Sequence, residues 1–201
     1  YEPDTSAVTD EQLTRLAASP LYRGGRHTGV RSRRELAELL RLYDAEIRYT
    51  DHLVGQMCAY LKKRGWYDDC AVILSADHGE QYGEGQMILE HGTVHDSCIH
   101  IPMLLKLPGG AHRGEVCAHP VYGLDIAPAA ARFFGVAAPE MWHGTALQDT
   151  LDGTAAPREY LVCEHGLYTC QRAVLQDGWK MVHTFSPGLW DFAEYALYHT
   201  E

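Results

Sequence analysis

Positive charge is scarce in this 201-residue chain: 17 Lys and Arg stand against 27 Asp and Glu, a formal net charge of -10. A surface of that sign repels nucleic acid and anionic lipid, so neither is expected as a partner. An anionic substrate would need a local positive source such as a metal ion. The one basic cluster, Arg31, Arg33 and Arg34, reads as a solvated helix entrance rather than a phosphate patch. Long apolar runs are missing too, and without roughly 18 uninterrupted apolar residues no membrane-spanning helix is expected. No charged-then-apolar leader opens the chain, but Tyr1 is not a natural start, so little follows from that. The six cysteines include no C-x-x-C pair, which excludes a zinc knuckle or a thioredoxin-type motif. Cys58 and Cys70 lie among apolar neighbours as core thiols, and the even count permits disulfides without demonstrating any. Gly83-Glu84-Gly85 is followed by Ile88 where a dinucleotide fingerprint needs its last glycine, so no nucleotide site is indicated.

What is present reads as α/β. Residues 1–31, with Pro3, Pro20, Gly24, Gly25 and Gly29, form an irregular lead-in. Ser32 and Glu35 make a capping box, and Leu36, Leu39, Leu40, Tyr43, Ile47, Val54, Met57 and Leu61 follow at helical spacing until Gly65 stops them. That predicts one long amphipathic helix, or two with a kink. Cys70 to Ala76 is apolar without alternation, as suits a parallel strand covered on both faces. Ile99 to Leu107 reads as a second buried strand. Asp125 is placed to cap a short helix with Pro128 in its first turn, ending at Gly135. The final quarter changes character: short strands surround Asp177-Gly178, the strongest hairpin pair in the chain. The organisation is thus a lead-in (1–31), an α/β core (32–150) and a small antiparallel subdomain (151–201).

The chemistry gathers where the first strand ends, in "SADHGEQYGE". Ligands of open α/β sheets collect at the carboxyl ends of strands. Asp77 supplies a hard oxygen, neutral His78 a nitrogen, and Gly79 lets the chain bend between them. Thirteen residues on, His91-Gly92 closes the same loop before the next strand. His95, Asp96, Cys98 and His100 could be imagined as a second metal group, but imidazoles beside a strand are more often structural, and that reading is taken. Glu80 and Glu84 could act as acid or base; they are read as loop residues supporting the ligands.

"YDAEIRYTDHLVGQM", "SADHGEQYGE" and "EHGTVHDSCIHIPMLLKLPGG" resemble the sulfatase family of the alkaline phosphatase superfamily. The resemblance runs from about Leu42 through "VYGLDIAPAAARFFGV" and "HGTALQDTL" to "RAVLQDGWKMV" and "ALYHTE". It implies a partial alkaline-phosphatase-like sandwich: a mainly parallel sheet flanked by helices, with a small C-terminal antiparallel subdomain. The family's second pair of metal ligands falls on Asp77 and His78, and its substrate-binding lysine, replaced by His in many members, falls on His91. Asp51 matches an acidic position of the family's long helix and is taken as structural. The implied cofactor is a divalent metal, calcium first, with magnesium or manganese as alternatives. The implied substrate is a small-molecule or glycan sulfate ester.

The departures are equally informative. Sulfatases attack with a formylglycine made from a C/S-x-P-x-R motif, and an aspartate pair early in the fold supplies the first metal ligands. Ser19-Pro20-Leu21-Tyr22-Arg23 has its proline one place early, and Cys117-Ala118-His119-Pro120 one place late. A calcium or magnesium ion wants roughly six or more ligands, so Asp77 and His78 make only a half-site. The chain therefore reads as the C-terminal portion of a sulfatase, inactive alone, with the formylglycine nucleophile in a missing N-terminal portion. Alternatives are a phosphodiester or phosphonate ester hydrolase of the same superfamily, or a non-catalytic binding or scaffolding remnant. Apolar edges at residues 70–76 and 99–107 would then be exposed and invite homo-oligomerisation.

Overall fold

The structure, a computed structural model, describes residues 5–6, 8–18, 30–84, 87–188 and 190–200. The expected lead-in is not irregular throughout: α1 (Asp10–Ala17) lies within it. Thr9 and Gln12 cap it reciprocally, the Gln12 amide donating to the Thr9 hydroxyl oxygen and the Thr9 amide to Gln12 Oε1, with Asp10 and Glu11 complementing the helix dipole. Val8 and Leu13 pack with Val30, Leu36, Tyr82 and Ile88 into one hydrophobic cluster. Pro3, Pro20, Gly24, Gly25 and Gly29 lie outside the described residues.

The predicted long helix is a single one, α2 (Arg33–Lys63). The Glu35 amide donates to Ser32 Oγ, while the Glu35 carboxylate accepts from the Arg31 amide. At 31 residues α2 spans about 46 Å. Only Leu36 and Ala37 are buried on it. Leu42, Ile47, Tyr49, Leu53, Met57 and Tyr60 all stay exposed. An amphipathic helix whose apolar stripe meets solvent has most of its packing partner elsewhere.

Past Gly65 the chain enters β1 (Val72–Ser75), then the short pair β2 (Gln81–Tyr82) and β3 (Ile88–Glu90), then β4 (Met103–Lys106). β1 and β4 pair antiparallel, Val72 opposite Lys106 and Ser75 opposite Met103. Among the described residues every strand pair is antiparallel. The parallel neighbours that the apolar run predicts are not among them, and β1 is half-buried along its whole length. The Lys106 ammonium is drawn over the start of this pair, donating to the carbonyls of Tyr67, Asp68 and Cys70.

The strand expected over 99–107 is shorter than predicted. Residues Asp96–Ile99 form a helical turn, α3, because His95 Nδ1 accepts from the Ser97 amide and caps it. Only Met103 onward is extended, after Pro102 has excluded helix. Helix α4 (Ile126–Phe133) appears as predicted, but Asp125 does not cap it. Its fully buried carboxylate accepts instead from the Tyr122 and Thr145 amides and pairs with Arg158 at 2.6 Å. A short α5 (Leu147–Leu151) packs on α4 and donates from Gln148 to the Ala129 carbonyl.

The chain then forms a four-stranded antiparallel sheet in sequential order, β5 (Leu161–His165), β6 (Cys170–Gln176), β7 (Trp179–Ser186) and β8 (Tyr195–His199). Asp177 and Gly178, at φ 49 and 76, turn β6 into β7 with Gln176 opposite Trp179. Two consecutive positive φ angles are what a tight right-twisted hairpin needs. The inner face carries Ala173 and Val182, which pack on Val94. The small sheet is thus set against the segment that follows His91. All six cysteines are free thiols.

Candidate metal and anion site

β1 delivers the site. Ser75 Oγ donates to the Pro102 carbonyl at 2.9 Å, fixing the strand's end against the approach to β4. The chain then turns through Asp77, His78 and Gly79. Gly79 is required by space rather than by its backbone angle: a Cβ there would lie 1.9 Å from the Ser97 carbonyl oxygen. Its amide donates to the Cys98 carbonyl at 2.8 Å, so the turn rests on α3.

On this seat Asp77 and His78 converge. The His78 amide donates to Asp77 Oδ1 at 3.0 Å. His78 Nδ1 faces the Gly79 carbonyl oxygen at 2.8 Å. A carbonyl only accepts, so Nδ1 carries the proton and Nε2 of the neutral ring keeps its lone pair. Nε2 lies 3.7 Å from Asp77 Oδ2. Hydrogen bonds from the backbone amides of Asp77 and His78 hold the Asp77 carboxyl below its ordinary range. An ionised carboxylate and a tautomer-fixed imidazole fit a divalent cation as two donors. Among the described residues no group of three or more His, Cys, Asp or Glu could hold a metal, so two donors are what these residues offer.

The structure brings His91 to the same place. Its ring stacks on His78, centroids 3.7 Å apart and planes 22° from parallel. His91 Nδ1 faces Glu80 Oε2 at 3.5 Å, an ion-pair distance too long for a good hydrogen bond. Both Nδ1 and Glu80 Oε1 are buried without a hydrogen-bond partner. Two unsatisfied polar atoms side by side suit a site completed by a ligand or by a small ring movement. His165, on β5, is pushed below its ordinary value by burial first and by the nearby His91 second.

Glu80 was legible only as part of the D-H-G-E string; its pairing with His91 follows from loop closure that no local spacing announces. Glu84 accepts from the Tyr82 amide and so ties the loop. The imagined second group does not assemble. His95 caps α3, Cys98 is buried with Thr93 as its neighbour, and His100 ends the helix. Sequence reading missed Lys180, which is buried on the inner face of β7 and donates to the Val94 carbonyl and to Asp96 Oδ1.

Comparison with known proteins decides the family. The sulfatase family model matches residues 1–136. The chain belongs to the sulfatase family. This sulfatase chain is 26% identical over 148 residues to choline-sulfatase of Rhizobium meliloti, covering 71% of this chain and 28% of that protein. It is 28% identical over 114 residues to the multifunctional alkaline phosphatase superfamily protein PehA of Trinickia caryophylli, covering 56% and 22%. Among solved structures, one in complex with its substrate D-glucosamine-2-N,6-O-disulfate superposes with TM-score 0.74 at 21% identity, over 89% of this chain and 37% of that one. The phosphonate monoester hydrolase of Agrobacterium radiobacter superposes with TM-score 0.73 at 21% identity, over 96% and 43%. These likenesses establish a partial alkaline-phosphatase-like fold. The chain spans about a quarter of the length of the curated relatives it matches.

Proposed function

We propose that this chain contributes the second metal half-site and the anion-binding histidine of a sulfatase that hydrolyses sulfate monoesters. The observation that carries the reading is the juxtaposition of the Asp77 carboxylate, a His78 Nε2 freed by the Gly79 carbonyl, and the His91 ring stacked on His78. Asp77 and His78 would hold a divalent ion, calcium first and magnesium or manganese otherwise. When bound, such an ion draws charge from the sulfuryl oxygens and holds the activated nucleophile. His91 Nδ1 faces the Glu80 carboxylate, so in the doubly protonated ring Nε2 would donate to a sulfate oxygen or to the leaving oxygen. The other ligands and the formylglycine would come from sequence outside this chain, which by itself turns over nothing.

Sulfated small molecules or glycans are the substrates that the named relatives suggest. A second reading, phosphodiester or phosphonate ester hydrolysis, is favoured by the phosphonate monoester hydrolase neighbours, since the same half-site can hold either tetrahedral anion. The exposed apolar stripe of α2 supports self-association of the isolated chain. The test is titration with inorganic sulfate in the presence of calcium. His91→Ala should weaken sulfate binding at least about tenfold with calcium binding retained; equal sulfate affinity in the two proteins would remove the anion role.

A further inference from the structure

The segment Gly92–Asp96 follows His91 directly, and the small antiparallel sheet and its β5–β6 loop hold it at four points. Thr169 Oγ1 donates to the Gly92 carbonyl at 2.7 Å. Gln171 Oε1 accepts from the Val94 amide at 3.2 Å, and its own amide donates to Thr184 Oγ1 at 3.2 Å. Lys180 Nζ donates to the Val94 carbonyl at 2.9 Å and to Asp96 Oδ1 at 2.6 Å. Thr169, Gln171 and Lys180 are all buried, Lys180 to 2% exposure. An ammonium is costly to bury, and an apolar residue at the same place on the sheet's inner face would pack against Val182 at no such cost. What the charged residue adds is direction: it fixes a backbone carbonyl and a side chain that lie 86 and 84 residues away in sequence.

The same segment continues into α3, whose Ser97 and Cys98 carbonyls seat Gly79. One anchored stretch therefore touches both halves of the site, His91 at its start and the Asp77-His78 turn at its end. We infer that Lys180, with Thr169 and Gln171, is the positioning clamp through which the C-terminal sheet sets His91 in register with Asp77 and His78. The clamp touches neither anion nor ion; it acts through the segment it holds. Its role in catalysis rests on the sulfatase reading above, while its role in geometry does not.

The experiment uses the full chain with labelled histidines, reading the proton contact between the stacked His78 and His91 rings and the affinity for inorganic sulfate with calcium present. The variants are Lys180→Met, Thr169→Val and Thr169→Ser. Thr169→Val is close in shape and keeps the chain folded should Lys180→Met not fold. Thr169→Val, and Lys180→Met where it unfolds cooperatively, should lose the His78–His91 contact and weaken sulfate binding about ten- to one-hundredfold, whereas Thr169→Ser should keep both. Folded Thr169→Val and Lys180→Met proteins that retain the ring contact would overturn the clamp. A wild-type chain that binds no sulfate but loses the ring contact in these variants would sink the functional reading and leave the clamp standing.

Discussion

Replacing Gly79 with alanine inserts a methyl group where the Ser97 carbonyl oxygen stands 1.9 Å away and the Ser97 carbonyl carbon 3.0 Å away. Both obstructing atoms are backbone, so no side chain can swing aside. To reach even a 3.0 Å contact with the oxygen, α3 and the Asp77-His78 turn must separate by at least 1.1 Å (3.0 minus 1.9). The Gly79–Cys98 hydrogen bond, 2.8 Å long, bridges the same two segments and would be stretched past its useful range. Overpacking of this kind costs about 1–3 kcal/mol and the lost bond about 1 kcal/mol, so about 2–4 kcal/mol is expected, a large part of the ~5–15 kcal/mol of a whole domain. Gly55 is the control: it lies inside α2 and a Cβ there meets nothing within 4 Å. Gly55→Ala should stabilise by about 0.5–1 kcal/mol. Urea unfolding measures both, and calcium titration reads the displaced turn. A Gly79→Ala protein as stable as wild type, with unchanged calcium binding, would refute the claim that the turn is seated on α3.

Two further perturbations test the packing behind the site. Asp125→Ala leaves the Tyr122 and Thr145 amides and the largely buried Arg158 without their acceptor, and should cost about 3–5 kcal/mol in urea unfolding. Arg132→Ala, which breaks only part-exposed pairs with Asp149 and Asp152, should cost under about 1 kcal/mol; equal losses would contradict the burial argument. Burial first, and Lys180 second, push His95 below its ordinary 6.5. The unfolded chain then takes up a proton before the folded one, so stability holds above pH 6.5 and declines as pH falls through 6.5 toward the folded value. His165 adds in the same direction. His112, raised by Glu115 and Asp152, acts oppositely, stabilising below 6.5 and losing that as pH rises through its folded value. His95→Asn keeps an N-cap acceptor without a titrating group, so the fall in urea midpoint between about pH 7.5 and about pH 5.5 should become shallower; an unchanged slope would exclude His95 as a source of it.

Local chemistry was legible in the sequence, and long-range placement was not. Ser32 with Glu35 announced α2, Asp177-Gly178 announced the β6–β7 turn, and Asp77-His78-Gly79 announced a turn at a strand's end, each through groups a few residues apart. α1 carried an equally local cue, the Thr9 and Gln12 box, obscured by the prolines and glycines around it. The helical turn at Asp96 was hidden because His95 is an uncommon cap and the flanking residues are apolar. Asp125 looked like a cap since its position is right; its buried bonds to Thr145 and Arg158 join residues 20 and 33 apart. No periodicity reports such pairs. The apolar run at β1 reads as a strand covered on both faces, and within this chain it is covered only in part.

Calcium titration by calorimetry of the full chain, beside Asp77→Ala and His91→Ala, tests the central claim most directly. Binding that Asp77→Ala abolishes and His91→Ala preserves is the result predicted by the proposal that Asp77 with His78 would hold the ion and His91 would bind the anion. Calcium binding that survives Asp77→Ala, or that disappears equally with His91→Ala, would contradict that division of roles.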